Sequence, residues 1–160
     1  LGSTVRVSLA EARQKAEDAR RTLAAGGDPL EARHIADSAR KAAETEPPGP
    51  WRDFALAMAA QVGPDRAAAD ASLQDVEQYA DGWAFQMAQV YAVRGEPDAM
   101  FDWLQRAWKA RDPGMQSLLY DALLLRYRDD PRYAALARQA GLPWPPVSAR
   151  PPAAAAPVKP

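Results

Sequence analysis

Turn-forming clusters punctuate this chain at nearly regular intervals. One set falls at Gly26-Gly27-Asp28-Pro29, Gly63-Pro64-Asp65, Gly95-Glu96-Pro97-Asp98 and Asp129-Asp130-Pro131. A second set falls at Pro47-Pro48-Gly49-Pro50, Asp81-Gly82 and Asp112-Pro113-Gly114. From glycine to glycine the first set steps through positions 27, 63 and 95, and the second through 49, 82 and 114. Those steps scatter about the ~34-residue period of a helix-turn-helix repeat. A unit of that kind cannot bury its apolar stripe alone, so it stacks on its neighbours and builds an extended concave surface.

The segments between the clusters carry helical periodicity and end signals. Ser8-Leu9-Ala10-Glu11 and Asp28-Pro29-Leu30-Glu31 are capping boxes, the second with Pro at the first helical position, where no N–H is needed. Leu9, Ala12, Ala16, Ala19 and Leu23 share one face of the first helix, which Gly26-Gly27 ends. Ile35, Ala39 and Ala42 or Ala43 carry the inner face of the second. Further helices are predicted over Trp51–Val62, Arg66–Tyr79 with Leu73 and Val76 inward, Trp83–Arg94, and from Pro97 to about Arg111. A seventh begins at Asp112-Pro113 and runs toward Arg128, with Asp121 as a potential break. A short eighth opens at Asp130-Pro131 and ends at Gly141. No strand pattern is present. The prediction is an all-α right-handed solenoid of about four helical hairpins over residues 8–142. A Pro/Ala-rich tail, read as disordered, follows over residues 143–160. Leu142 and Trp144 offer the alternative of folding back on the last helix.

Composition narrows the function classes. The 160 residues carry a net charge of -1, which gives no basic footprint for nucleic acid or an anionic membrane. There is no Cys, so disulfides, thiolate metal sites and cysteine nucleophiles are excluded. No apolar run of about 18 residues exists to span a bilayer. The first residue is Leu1, which points to a fragment or processed product. The compartment stays open, with a soluble cytoplasmic setting favoured over a periplasmic one.

Candidate chemistry is sparse. His34 is the only histidine and reads as structural or surface imidazole, because metal sites show clustered ligands. Asp130 of the Asp129-Asp130 pair reads as a helix N-cap. No nucleophile elbow or phosphate-binding glycine loop is present. Arg126, Tyr127, Arg128, Arg132 and Tyr133 read as a terminal cap with packed tyrosines and paired arginines, against the alternative of stacking on nucleic acid. Trp83, Trp103 and Trp108 read as packing residues, against the alternative of an aromatic cage. The expectation is therefore a chain that is not an enzyme and uses no metal or cofactor.

Helices five and six read Trp83-Ala84-Phe85-Gln86-Met87-Ala88-Gln89-Val90-Tyr91-Ala92-Val93-Arg94-Gly95 and Ala99-Met100-Phe101-Asp102-Trp103-Leu104-Gln105-Arg106-Ala107. This pair resembles a tetratricopeptide repeat. Ala88, Tyr91, Gly95, Leu104 and Ala107 stand at its signature positions. Its terminal proline comes one place late as Pro113, and Met100 stands where the pattern prefers alanine. The stretch from Arg111-Asp112-Pro113-Gly114 to Gly141-Leu142-Pro143 is similar to the endings of bacterial tetratricopeptide arrays. Such arrays lie at the C-termini of signalling proteins such as winged-helix regulators, nucleotide cyclases and Ser/Thr kinases. The likeness spans roughly residues 51–143 and rests on period and capping before that.

In such arrays the first helix of each hairpin lines the concave groove. On helix five the resemblance implies that Phe85, Gln86, Gln89 and Val93 face it, offering one aromatic surface, two amides and an apolar contact. The arrays that clamp a C-terminal carboxylate use Lys and Asn where Phe85 and Gln89 stand here, which argues against chaperone tails. The resemblance implies a protein or peptide partner. Self-association into a homodimer and service as an intramolecular spacer or sensor domain are the alternatives.

Overall fold

A computed structural model describes residues 9–24 and 28–145. Among them are seven α-helices and two 3-10 helices, with no strand. The helices are α1 (Leu9–Ala24), α2 (Pro29–Ala43), α3 (Pro50–Val62), α4 (Arg66–Glu77), α5 (Ala84–Arg94), α6 (Pro97–Ala110) and α7 (Pro131–Gln139). The helix predicted from Asp112 to Arg128 is instead two 3-10 pieces, Pro113–Ser117 and Leu124–Tyr127.

The helix ends follow their local chemistry. Asp28, Asp65 and Asp130 cap α2, α4 and α7, each carboxylate accepting a backbone N–H of the first turn at 2.8, 3.1 and 2.9 Å. Proline opens α2, α3, α6 and α7. Gly95 closes α5 in the left-handed conformation with φ 75°, where a Cβ would be strained. Ser8, Gly26 and Gly27, on which two further predicted signals rest, lie outside the described residues.

Packing concentrates around α5. One face gives Met87 and Val90 to a small core with Ala57 of α3 and Leu73 and Val76 of α4. The opposite faces give Phe85, Ala88 and Ala92 to a larger core with Met100, Phe101 and Leu104 of α6. Leu118 and Leu124 of the 3-10 region and Tyr133 and Leu136 of α7 complete it. Burial thins toward the N-terminus. Helix α2 packs on α3 through a lean stripe of Ala32, Ala36, Ala39 and Ala43, and only Ala43 is fully buried. Ile35, expected on that inner face, is 48% exposed, because the alanine stripe sits closer to α3 than a branched side chain could. Helix α1 touches α2 lightly. Its Ala16, also expected inward, is exposed and Ala19 is half-buried, while the side chains of Leu9, Ala12 and Leu23 lie outside the described residues.

The 3-10 region is held to α5 by two aspartates, each with divided oxygens. Asp112 accepts from the backbone N–H of Gly114 at 2.8 Å with one oxygen and from Phe85 N–H at 3.1 Å with the other. It therefore caps its own turn and the N-terminus of α5 together. Asp121 accepts from Leu123 and Leu124 N–H at 2.9 and 3.0 Å and, with its other oxygen, from the Gln89 amide at 2.6 Å. A continuous α-helix across 113–128 would take those local N–H groups into its own ladder, which is why Asp121 breaks it.

The C-terminal end closes by aromatic packing. Tyr133 is fully buried and donates its hydroxyl to the Leu118 carbonyl. Burial pushes that hydroxyl up to about 12. Tyr127 donates to the Ala92 carbonyl at 2.6 Å. Trp144 lies 5.2 Å from the Tyr133 ring between centroids, and Leu142 N–H donates to the Ala137 carbonyl at 2.9 Å. The tail predicted from Pro143 thus yields Trp144 to the core, because a half-buried indole gains more from Tyr133 than from water. Residues 146–160 lie outside the described residues.

Candidate partner-binding surface

Successive residues of an α-helix are turned by about 100°, so α5 can be divided by what each face meets. Phe85 is 3% exposed and its ring packs on Gly114, where a Cβ would come within 2.5 Å of the ring carbon Cγ. It serves the core and cannot offer the aromatic contact expected of it, because the 3-10 region lies over it. Gln86, Gln89 and Val93 are half-buried. Their i, i+3, i+7 spacing makes one ridge between the face turned to α3 and the face turned to the 3-10 region. The Gln89 amide is engaged by Asp121, leaving Gln86 and Val93 as the more available pair.

Helix α3 packs beside α5 and keeps a large apolar side chain at the surface near each of its ends. Trp51 is 62% exposed and Val62 is 43% exposed. The Trp51 ring rests 4.4 Å from Trp83 between centroids, with Phe54 at 6.3 Å and edge-on. Tyr79 borders the same cluster and donates to Asp53 at 2.7 Å, an interaction that raises the phenol's pKa. Trp83 therefore packs with Trp51, Phe54 and Tyr79, whereas Trp103 takes the Arg106 guanidinium over its ring at 4.4 Å. The three tryptophans singled out in the sequence do not form one cage.

A charged cluster fixes the angle between these helices. Arg94, whose side chain is 6% exposed, donates to Gln61 of α3 at 2.9 Å, Asp70 of α4 at 2.8 Å and Glu96 at 3.1 Å. Arg66 completes the set on Glu96 and lies 3.5 Å from Asp70. Burial alone would raise the Glu96 pKa, but the hydrogen bonds from Arg94 and Arg66 outweigh it and hold it below its usual range. Burial likewise opposes the charge on Arg94, and Asp70 and Glu96 overcome it. Two cations and two anions balance here, so the cluster locks α3, α4 and α5 together with no charge left over.

The remaining sequence candidates are structural or exposed. His34 is exposed on α2. Among the described residues no group of three or more His, Cys, Asp or Glu is placed to hold a metal, and no helix is long and apolar enough to cross a membrane. Arg132 pairs with Asp98 at 2.7 Å and Asp130 at 2.8 Å and covers the Phe101 ring at 4.4 Å. Sequence reasoning passed over Trp51 and Val62, whose signal was a bulky residue directly after the Pro-Pro-Gly-Pro stop and another directly before Gly63. Compared with family models, curated proteins and solved structures, the chain matches none of the three.

Proposed function

We propose that the chain is a non-catalytic protein–protein interaction module built as a tetratricopeptide-like array. Its partner surface is the strip formed by Trp51 and Val62 of α3 with Gln86, Gln89 and Val93 of α5. The observation that carries this reading is the exposure of Trp51 and Val62 beside the half-buried ridge of α5. Tryptophan is the residue type that most often anchors such contacts. The α3–α5 contact supports the reading too, since first helices of successive units line the groove of such arrays. Affinity comes from the apolar side chains and the free amide of Gln86, and surrounding charges set encounter rate and specificity.

The test compares the native chain with a Val62→Lys/Gln86→Lys double variant in quantitative capture from a lysate of the organism that carries it. Val62 is exposed and Gln86 half-buried with no hydrogen-bond partner among the described residues, so the variant keeps its helical circular dichroism and melting profile. A partner enriched by the native chain and lost from the variant supports the strip; equal capture by both refutes it.

Self-association is the second reading, and α2 favours it. Leu30 is 73% exposed and Ile35 is 48% exposed on this helix. A Leu30→Lys/Ile35→Lys variant that leaves the light-scattering mass of the native chain unchanged at high concentration eliminates it.

A further inference from the structure

A cleft of about 490 Å³ opens between α1, α2, α3 and α4, away from the α3–α5 strip. Its volume falls in the range of about 300–1,000 Å³ typical of small-molecule sites. The floor is apolar and, Leu56 apart, built of short side chains, with Ala36, Ala59, Ala60 and Gly63 among them and Ala68 at the exposed rim. The lean floor has a physical origin. Gly63, which caps α3, approaches Ala36 so closely that a Cβ on it would lie 3.2 Å from the alanine methyl, and the short side chains at this joint leave the space beyond it unfilled.

The charged lining is unbalanced. It comprises Lys15 of α1, Arg33 and Arg40 of α2, Asp37, and Asp65 at the start of α4. Arg40 is shared between Asp37 at 3.7 Å and Glu44 at 2.6 Å, and Asp65 accepts from Ala68 N–H at 3.1 Å. Lys15 and Arg33 have no ion-pair partner among the described residues. Two cations without an ion-pair partner among the described residues thus border an apolar hollow.

We infer that this cleft binds a small amphiphilic carboxylate, its hydrocarbon body on the alanine-rich floor and its carboxylate between Lys15 and Arg33. The complementarity is specific in sign: an alkylammonium of equal length meets like charge, and an alcohol forgoes the ion pairs. Occupancy also bears on α1, which touches α2 lightly and contributes Lys15 and Ala19 to the cleft wall. A ligand bridging Lys15 to the floor holds α1 against the rest of the molecule.

The probe is sodium dodecanoate below its micellar concentration, titrated into the full chain by calorimetry, with hydrogen exchange followed across α1. Saturable binding with one site is expected, together with slower exchange in α1. Shortening the chain to decanoate weakens binding about fourfold for each methylene withdrawn from the floor. Dodecyltrimethylammonium binds at least tenfold more weakly. Lys15→Glu/Arg33→Glu lowers dodecanoate affinity at least tenfold, and both residues are exposed, so the fold is kept. Ala68→Trp, at an exposed position on the lining, abolishes binding by filling the hollow.

Absence of binding to the native chain overturns the inference. So does equal affinity for the ammonium, or undiminished binding in both variants. Capture of an acidic, alanine-rich peptide in place of dodecanoate overturns it as well, and assigns the cleft to a partner protein. None of these results depends on the α3–α5 strip, whose variant leaves the cleft unaltered.

Discussion

Replacing Gly114 by alanine tests whether the 3-10 region is docked on α5 as closely as the packing requires. A Cβ on Gly114 would lie 2.5 Å from Cγ, 2.7 Å from Cβ and 2.7 Å from Cδ1 of Phe85. Carbon atoms pack best at about 3.5–4.0 Å, so the added methyl overlaps by roughly 1 Å. Phe85 cannot swing clear, because its clashing atoms include Cβ, which the backbone of α5 fixes, and its ring is fully enclosed. Asp112 resists a shift of the turn, since its carboxylate holds both Gly114 N–H and Phe85 N–H. Overpacking of this kind costs about 1–3 kcal/mol. At about 2–4 °C per kcal/mol for a chain of this size, Gly114→Ala lowers Tm by about 4–8 °C near the middle of that range. Thermal melting followed by circular dichroism measures the shift, and urea unfolding the free energy. Phe85→Ala alone loses about 3–5 kcal/mol, and in its background the alanine at 114 is relieved of the Cγ and Cδ1 overlaps and keeps only the 2.7 Å approach to Cβ. The double variant is then at least about 1 kcal/mol more stable than the sum of the two single losses. A Gly114→Ala variant within about 0.5 kcal/mol of native, or an additive cycle, refutes the reasoning.

Three further perturbations address other joints. Asp112→Ala removes acceptors from two helix starts at once and lowers stability by about 2 kcal/mol by urea unfolding, at the upper end for a cap. The Tyr133 hydroxyl, raised by burial to about 12, keeps its full contribution below its ordinary value of 10.0. That contribution is lost as pH rises from there through about 12, so the native chain melts lower across that window and Tyr133→Phe shows a flatter alkaline profile. Truncation after Gly141 removes Leu142 and Trp144 from the Tyr133 side of the core; calorimetry shows a stability loss of about 2 kcal/mol, and an unchanged Tm contradicts the packing of Trp144.

The sequence was most legible where a single residue decides a local conformation. Asp28, Asp65 and Asp130 announce helix starts, and Gly95 announces a stop, because a cap needs only the side chain and the next few N–H groups. The inward positions Leu73 and Val76 were equally readable from their spacing. What failed was what depends on the neighbour. Ile35 reads as inward together with Ala39 and Ala42 or Ala43, yet α2 turns its alanine stripe to α3 and leaves Ile35 exposed. Phe85 was assigned to a groove from its place in a resemblance, and the 3-10 region that buries it is visible only once Gly114 and Asp112 are seen against α5. Within the candidate surface, Gln86 and Val93 were legible as one helical face, while Trp51 and Val62 depended on how α3 is turned.

The same contrast explains why α5 carries both the stability and the proposed contact. Among the described residues it is the one helix whose buried residues enter both cores, Met87 and Val90 in the smaller and Phe85, Ala88 and Ala92 in the larger. Asp112 holds its start and Arg94 locks its end to Gln61, Asp70 and Glu96. A helix fixed on three sides keeps its fourth ridge in place with little loss of backbone freedom on binding, and that pre-organisation is where affinity is gained. The N-terminal half is built oppositely: alanine contacts between α2 and α3, a lightly held α1, and an open cleft between them. Changes on the α5 ridge therefore act on contacts directly, whereas changes around the cleft act through the position of α1. Hydrogen exchange separates the two, since Gln86→Lys leaves the exchange of α1 unaltered and Arg33→Glu alters its response to dodecanoate alone.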